Sequence, residues 1–180
     1  SILNGGAAFT LIGSRLPGPE PNIIAGNDGS GIVVQLQSRD YFIGHNIIGA
    51  TADSSVLGND GAGIVFNLET SRDTVAYNYI ANNNGSAIII DGADTDSIIV
   101  FENSIFDNND GISIRDNAQA NIAAPRDLYY NNEEILSGKS APEALVRVYA
   151  GAADQGRYYL TSVEADLSGA WQLSIPLSSI

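Results

Sequence analysis

The chain has 180 residues and a net charge of −13, from 21 acidic and 8 basic residues. That balance excludes a nucleic-acid partner, which needs clustered Lys and Arg to displace counterions, and an anionic membrane surface; it suits divalent cations or plain solubility. No apolar run is long enough to span a membrane, no Cys is present to form a disulfide or a thiolate zinc site, and with no Met the expectation is a piece of a longer precursor or a processed chain.

The 22 Ile and 9 Val outnumber the 13 Leu, and this β-branched bias favours strands over helices. Frequent Gly and Asn favour turns and left-handed backbone positions. The expected class is therefore all-β.

Residues 1–13 read as the tail of an earlier repeat. Leu3-Asn4-Gly5-Gly6 resembles Ile90-Asp91-Gly92-Ala93, and Leu11-Ile12 resembles Ile98-Ile99. Ser14 to Pro21 is rich in Pro and forms a surface loop.

The repeat proper follows. An Asn-x-Ile unit occurs at Asn22, Asn46, Asn78 and Asn103. A second unit, a small residue before alternating apolar residues, occurs at Gly31, Gly63, Ala87 and Gly111, at steps of 32, 24 and 24 residues. The long step is accounted for by an insertion at Ala50 to Leu57. A short repeat built from strand-like segments predicts a solenoid. Each turn of it holds a strand such as Gly31 to Gln35, a second such as Tyr41 to Gly44, a bend at Asn46 and a short third strand to Ile48. Alternation points Ile32/Val34, Ile64/Phe66, Ile88/Ile90 and Ile112/Ile114 inward, in a column. The bend asparagines form a stacked amide ladder. Asn82-Asn83-Asn84-Gly85 reads as a left-handed turn.

After Ile114 the pattern fades through Asn117 to Ala124 and ends at Pro125. Beyond it, Tyr129, Tyr130, Tyr149, Tyr158, Tyr159 and Trp171 change the composition. Short alternating runs at 134–137, 145–149, 158–163 and 171–175 predict an antiparallel β-sandwich of about five strands, fewer than the seven or so such a sandwich usually has.

Asn22-Ile23-Ile24-Ala25-Gly26-Asn27, then Gly31-Ile32-Val33-Val34, then His45-Asn46-Ile47-Ile48-Gly49, resemble the right-handed parallel β-helix repeats of large secreted bacterial surface proteins. Val146-Arg147-Val148-Tyr149, Gly156 to Leu160 and Asp166 to Trp171 resemble the bacterial immunoglobulin-like module that often follows such repeats. The resemblance implies a β-helix over 1–124 and an incomplete immunoglobulin-like sandwich over 125–180. It also implies an extracellular or cell-surface location. It specifies fold more than activity, since β-helices carry lyases, hydrolases, adhesins and passive stalks.

A catalytic set is harder to find. The only His is His45 and the only Lys is Lys139. Arg39 and Arg72 recur in Ser-Arg-Asp triplets, which reads as a solvated Arg/Asp turn ladder. Asp91, Asp94 and Asp96 are the densest acidic stretch and the candidate oxygen ligands for Ca²⁺. Tyr41, Phe42, Tyr77 and Phe101 lie along the second strand as a candidate glycan-binding groove.

The expected function is a non-catalytic structural or adhesive module of a secreted or surface protein. Its open β edges could self-associate or take neighbouring domains, building an extracellular filament or matrix. The alternative is a β-helix that binds or cleaves polysaccharide.

Overall fold

The computed structural model of the chain describes residues 2–121, 123, 125–131, 133–151 and 155–176. In chain order the first winding carries β1 (Ile2–Gly5), β2 (Leu11–Gly13) and β3 (Ile23–Ile24). The second carries β4 (Ile32–Gln35), β5 (Phe42–Gly44) and β6 (Ile47–Ile48), and the third β7 (Ile64–Phe66), β8 (Thr74–Ala76) and β9 (Tyr79–Ala81). The fourth carries β10 (Ser86–Asp91), β11 (Ile99–Phe101) and β12 (Ser104–Phe106), and β13 (Asp110–Arg115) follows.

Every third strand pairs in parallel. The first sheet runs β1-β4-β7-β10-β13, the second β2-β5-β8-β11 and the third β3-β6-β9-β12. The chain is thus all-β, with three parallel sheets of stacked strands, an arrangement compatible with a β-helix-like solenoid. Ile32, Ile64, Ile88 and Ile112 stand in one register line, as do Val34, Phe66, Ile90 and Ile114. Ile32, Val34, Ile64, Phe66, Ile88 and Ile90 are buried in a single core with Ile43, Val75, Ile80 and Ile105. Each contributes about 1.5–3 kcal/mol, and only because a winding above and below supplies its contacts. The small residue before each apolar pair has a steric cause. A Cβ on Gly63 would lie 2.6 Å from the Ala87 carbonyl oxygen of the next winding.

Two features differ from the sequence reading by one residue. Asn4, not Leu3, falls in line with Val34 and so with Ile90, and Leu11 falls in line with Phe42, Thr74 and Ile99. The Ser-Arg-Asp triplets are offset too. Arg39 aligns with Ser71 and Asp96, so Arg72 stands against Asp40 and forms an ion pair at 2.8 Å. The triplets match in letters, but strand pairing counts backwards from Phe42↔Thr74, and that register shifts them. The insertion is an outward loop, closed by an antiparallel bridge between Ala50 and Val56. A fourth-winding turn is one residue longer than its predecessor: Asn67 to Thr70 spans three steps and Asp91 to Thr95 four.

After β13 a tight turn at Ala118–Asn121 packs Ala118 into the core. Then come β14 (Arg126–Tyr130), β15 (Ile135–Lys139), β16 (Leu145–Ala150), β17 (Tyr158–Glu164) and β18 (Ala170–Ser174). All pairings here are antiparallel, in a sheet β14-β15-β18 and a ribbon β16-β17. Val146, Ala165 and Trp171 form their shared core. Between the runs at 145–149 and 158–163, residues 152–154 lie outside the described residues.

Candidate functional site

The corners decide what this chain can present. At the corner between the second and third sheets, His45, Tyr77 and Glu102 hold φ values of 55°, 61° and 50°. That left-handed step turns the next residue, Asn46, Asn78 or Asn103, into the interior. There the amides form a ladder. Asn22 Nδ2 donates to Asn46 Oδ1 (2.9 Å), Asn46 Nδ2 to Asn78 Oδ1 (2.9 Å) and Asn78 Nδ2 to Asn103 Oδ1 (2.9 Å). The carboxamides of Asn46, Asn78 and Asn103 also take up backbone groups at the corner, such as Asn46 N–H on Asn78 Oδ1 (3.0 Å).

A second ladder, absent from the sequence reading, runs along the corner between the third and first sheets. Asn27 Nδ2 donates to Asn59 Oδ1 (2.6 Å), Asn59 to Asn83 (2.7 Å) and Asn83 to Asn108 (2.8 Å). Asn82-Asn83-Asn84-Gly85 reads as a left-handed turn, and Asn82 does take the left-handed step, at φ 60°; what the turn reading does not contain is that Asn83 is buried in the ladder. The ladder does not stop at the last winding. Asn108 Nδ2 donates to Gln155 Oε1 (3.1 Å), and Gln155 Nε2 returns a bond to the Asn108 carbonyl (2.7 Å). Gln155 belongs to the second unit. That unit also accepts the Glu102 N–H on Tyr149 Oη (2.8 Å) and the Ile105 N–H on the Gly156 carbonyl (3.0 Å).

The four residues expected to line a glycan groove do not share one surface. Tyr41 is a core residue, 1 % exposed, because it falls at the inward position before β5. Phe42 is buried beneath the Arg15 guanidinium, 4.4 Å from its ring centre. Tyr77, 40 % exposed, does meet Phe101 edge to face at 5.4 Å. The strip they begin includes two residues the sequence reading left out. His45 stacks on Tyr77 at 5.0 Å, and Arg147 of the second unit lies 5.3 Å over Phe101. The shared bend position of His45 and Tyr77 was the available signal.

Asp91, Asp94 and Asp96 are likewise not gathered. Asp91 and Asp94 line a shallow depression of about 310 Å³ with Asn67, Glu69, Thr95 and Asp116, whereas Asp96 continues the turn stack against Ser71. Among the described residues no group of three or more His, Cys, Asp or Glu could hold a metal ion.

One carboxylate is out of place by any sequence rule. Asp73 is fully buried, in line between Tyr41 below and Ile98 above. Its Oδ1 accepts the Tyr41 N–H (2.9 Å), and its Oδ2 has no partner. Burial pushes its pKa from 3.8 up to about 7, aided by Asp40 and opposed by the Tyr41 hydrogen bond and by Arg72.

No model of a known protein family matches the chain, and no curated protein matches it either.

Proposed function

We propose that the chain is a non-catalytic spacer module of a secreted or cell-surface bacterial protein: a right-handed parallel β-helix carrying an immunoglobulin-like domain set rigidly on its end. The observation that carries this reading is the amide ladder that passes from Asn27 through Asn108 into Gln155. A row of carboxamides, each donating to the next and closed by the two-way contact of Asn108 with Gln155, resists both shear between windings and rotation of the second unit. The parallel stacking gives a rod that lengthens by about 4.8 Å per winding. The resemblance of the repeats to those of bacterial surface proteins supplies the location.

The test is small-angle X-ray scattering on the chain and on Gln155→Ala. The parent should scatter as one elongated rigid body. Gln155→Ala strands the Asn108 N–H and amide, and should cost about 1–2 kcal/mol and broaden the distance distribution. Equal flexibility in both proteins would remove the rigid-spacer reading, and turnover of a uronate polymer by the parent would remove the non-catalytic one.

A second reading, glycan binding, is favoured by one observation, the His45–Tyr77–Phe101 strip, exposed at Tyr77 and partly buried at its other two rings, with Arg147 at its end. Flat aromatic faces can stack on the apolar faces of sugar rings. On a glycan array this reading expects retention that Tyr77→Ala reduces about tenfold or more, with the melting temperature unchanged. Retention identical in the variant would dismiss the strip as a sugar platform.

A further inference from the structure

The final winding is sealed at its corners but not along its first sheet. Gln119 covers the corner at Ile98, accepting that residue's N–H (3.0 Å) and donating to its carbonyl (2.6 Å). Gln155 seals Asn108, and the bend before Asn103 and the strand β12 are engaged by Tyr149 and Gly156. The strand β13 has β10 on one side and no strand on the other among the described residues.

Its side chains show the consequence. Ile112 and Ile114 stand in register over Ile88 and Ile90, yet they are 46 % and 44 % exposed where those are fully buried. Beside them lies a cleft of about 530 Å³. Its floor is Val100, Ile105 and Ile112 of the last winding, and its wall is Leu145, Arg147 and Tyr149 of the second unit. The top of the hydrophobic column therefore opens into a walled slot beside an unpaired sheet edge.

We propose that β13 is an acceptor edge for a single extended peptide strand from another polypeptide, added in parallel as the sixth strand of the first sheet. The strand carries the pattern apolar-any-apolar-acidic. Three observations select this occupant. Every pairing in the first sheet is parallel, and each of its two inner rungs meets the next with apolar side chains at both inward positions. The β10 strand shows what complements β13 from below: Ile88, Ile89 and Ile90 followed by Asp91, which stands against Arg115. Arg115 is the fourth residue of that register line and carries the cation, so an acid at the fourth position of an added strand meets opposite charge as Asp91 does from below. A complete additional winding does not fit, because its second and third strands would need the places that Tyr149, Gln155 and Gly156 already occupy. Among the described residues there is room for one strand. Main-chain bonds to the edge supply affinity, and the two apolar side chains entering the slot supply selectivity.

The probe is a fluorescent hexapeptide Ser-Ala-Ile-Ile-Ile-Asp, a copy of β10, titrated into the whole chain. Anisotropy should saturate, and hydrogen exchange should slow across 110–115 while the other edge of the sheet, β1, is unchanged. A peptide with asparagine in place of the third and fifth residues should bind at least about tenfold more weakly, and so should the parent peptide to Ile112→Asp. The exchange measurement uses the unaltered chain, so it decides the matter even if Ile112→Asp fails to fold. The proposal is overturned by absence of saturation or by protection elsewhere. It is equally overturned by equal binding of the asparagine peptide, or by protection of 110–115 in a concentration-dependent dimer without peptide.

Discussion

Asn78→Ala is expected to remove about 3–5 kcal/mol of folding free energy, read as a lowered denaturant midpoint. The size follows from what a methyl group strands. Asn78 Oδ1 holds both the backbone N–H and the Nδ2 of Asn46, at 3.0 and 2.9 Å. Its Nδ2 holds the carbonyls of Ile43 and Ala76 and the Oδ1 of Asn103, at 2.9, 3.0 and 2.9 Å. These groups lie in the buried interior, so water cannot replace the amide without opening a winding. Asn84→Ala is the comparison. Asn84 is exposed and among the described residues its side chain bonds Asp60 alone, so its loss should stay within about 0.5 kcal/mol. Similar losses at both sites would mean that the ladder adds nothing beyond ordinary surface bonding.

Asp73→Asn is expected to stabilise the chain, and only above acid pH. The unfolded chain releases this proton near 3.8, whereas the folded chain holds it up to about 7. Between those values the folded state binds more protons than the unfolded one, so the contribution of this residue to stability falls as pH rises and levels off above 7. Asparagine keeps an acceptor for the Tyr41 N–H and carries no charge. The variant should match the parent near pH 3 and exceed it by about 1–3 kcal/mol at pH 8. Asp40, Asp53 and Asp166 act in the opposite sense, since their hydrogen bonds lower their pKa values and their stabilisation is lost toward acid pH. The difference between variant and parent isolates Asp73 from them. A difference that does not change with pH would contradict a buried, proton-holding carboxyl.

The stacking was legible because it is written in spacing. Asn-x-Ile and small-apolar units at near-constant steps place the core column and the first ladder without any tertiary information. The second ladder was also written, as Asn27, Asn59 and Asn83 each four residues before Gly31, Gly63 and Ala87. It was hidden because Asn followed by Asp or Asn and then Gly is also what a surface turn looks like. Asp73 was illegible for a different reason. Its triplet repeats an earlier one, and only the pairing of β5 with β8 shows that the repeat is displaced by one residue, which moves a carboxyl from the surface to the core. Tyr41 opens the second strand in the sequence, and the same β5–β8 pairing puts it in line with Asp73, facing the core rather than a groove. The seating of the second unit could not be read at all, because it depends on Gln155 meeting Asn108 across 47 residues.

The absence of cysteine makes the stacking directly measurable by pairs of introduced thiols. Val65, Ile89 and Ser113 stand in one register line on the outward face of the first sheet. Neighbours in that line are about 4.8 Å apart, within disulfide reach, and alternate members about 10 Å apart, beyond it. Mild oxidation should close a disulfide in Val65→Cys/Ile89→Cys and leave Val65→Cys/Ser113→Cys reduced. Closure of the second pair, or failure of the first in a folded protein, would contradict the winding-on-winding register from which the ladders, the buried carboxyl and the open β13 edge all follow.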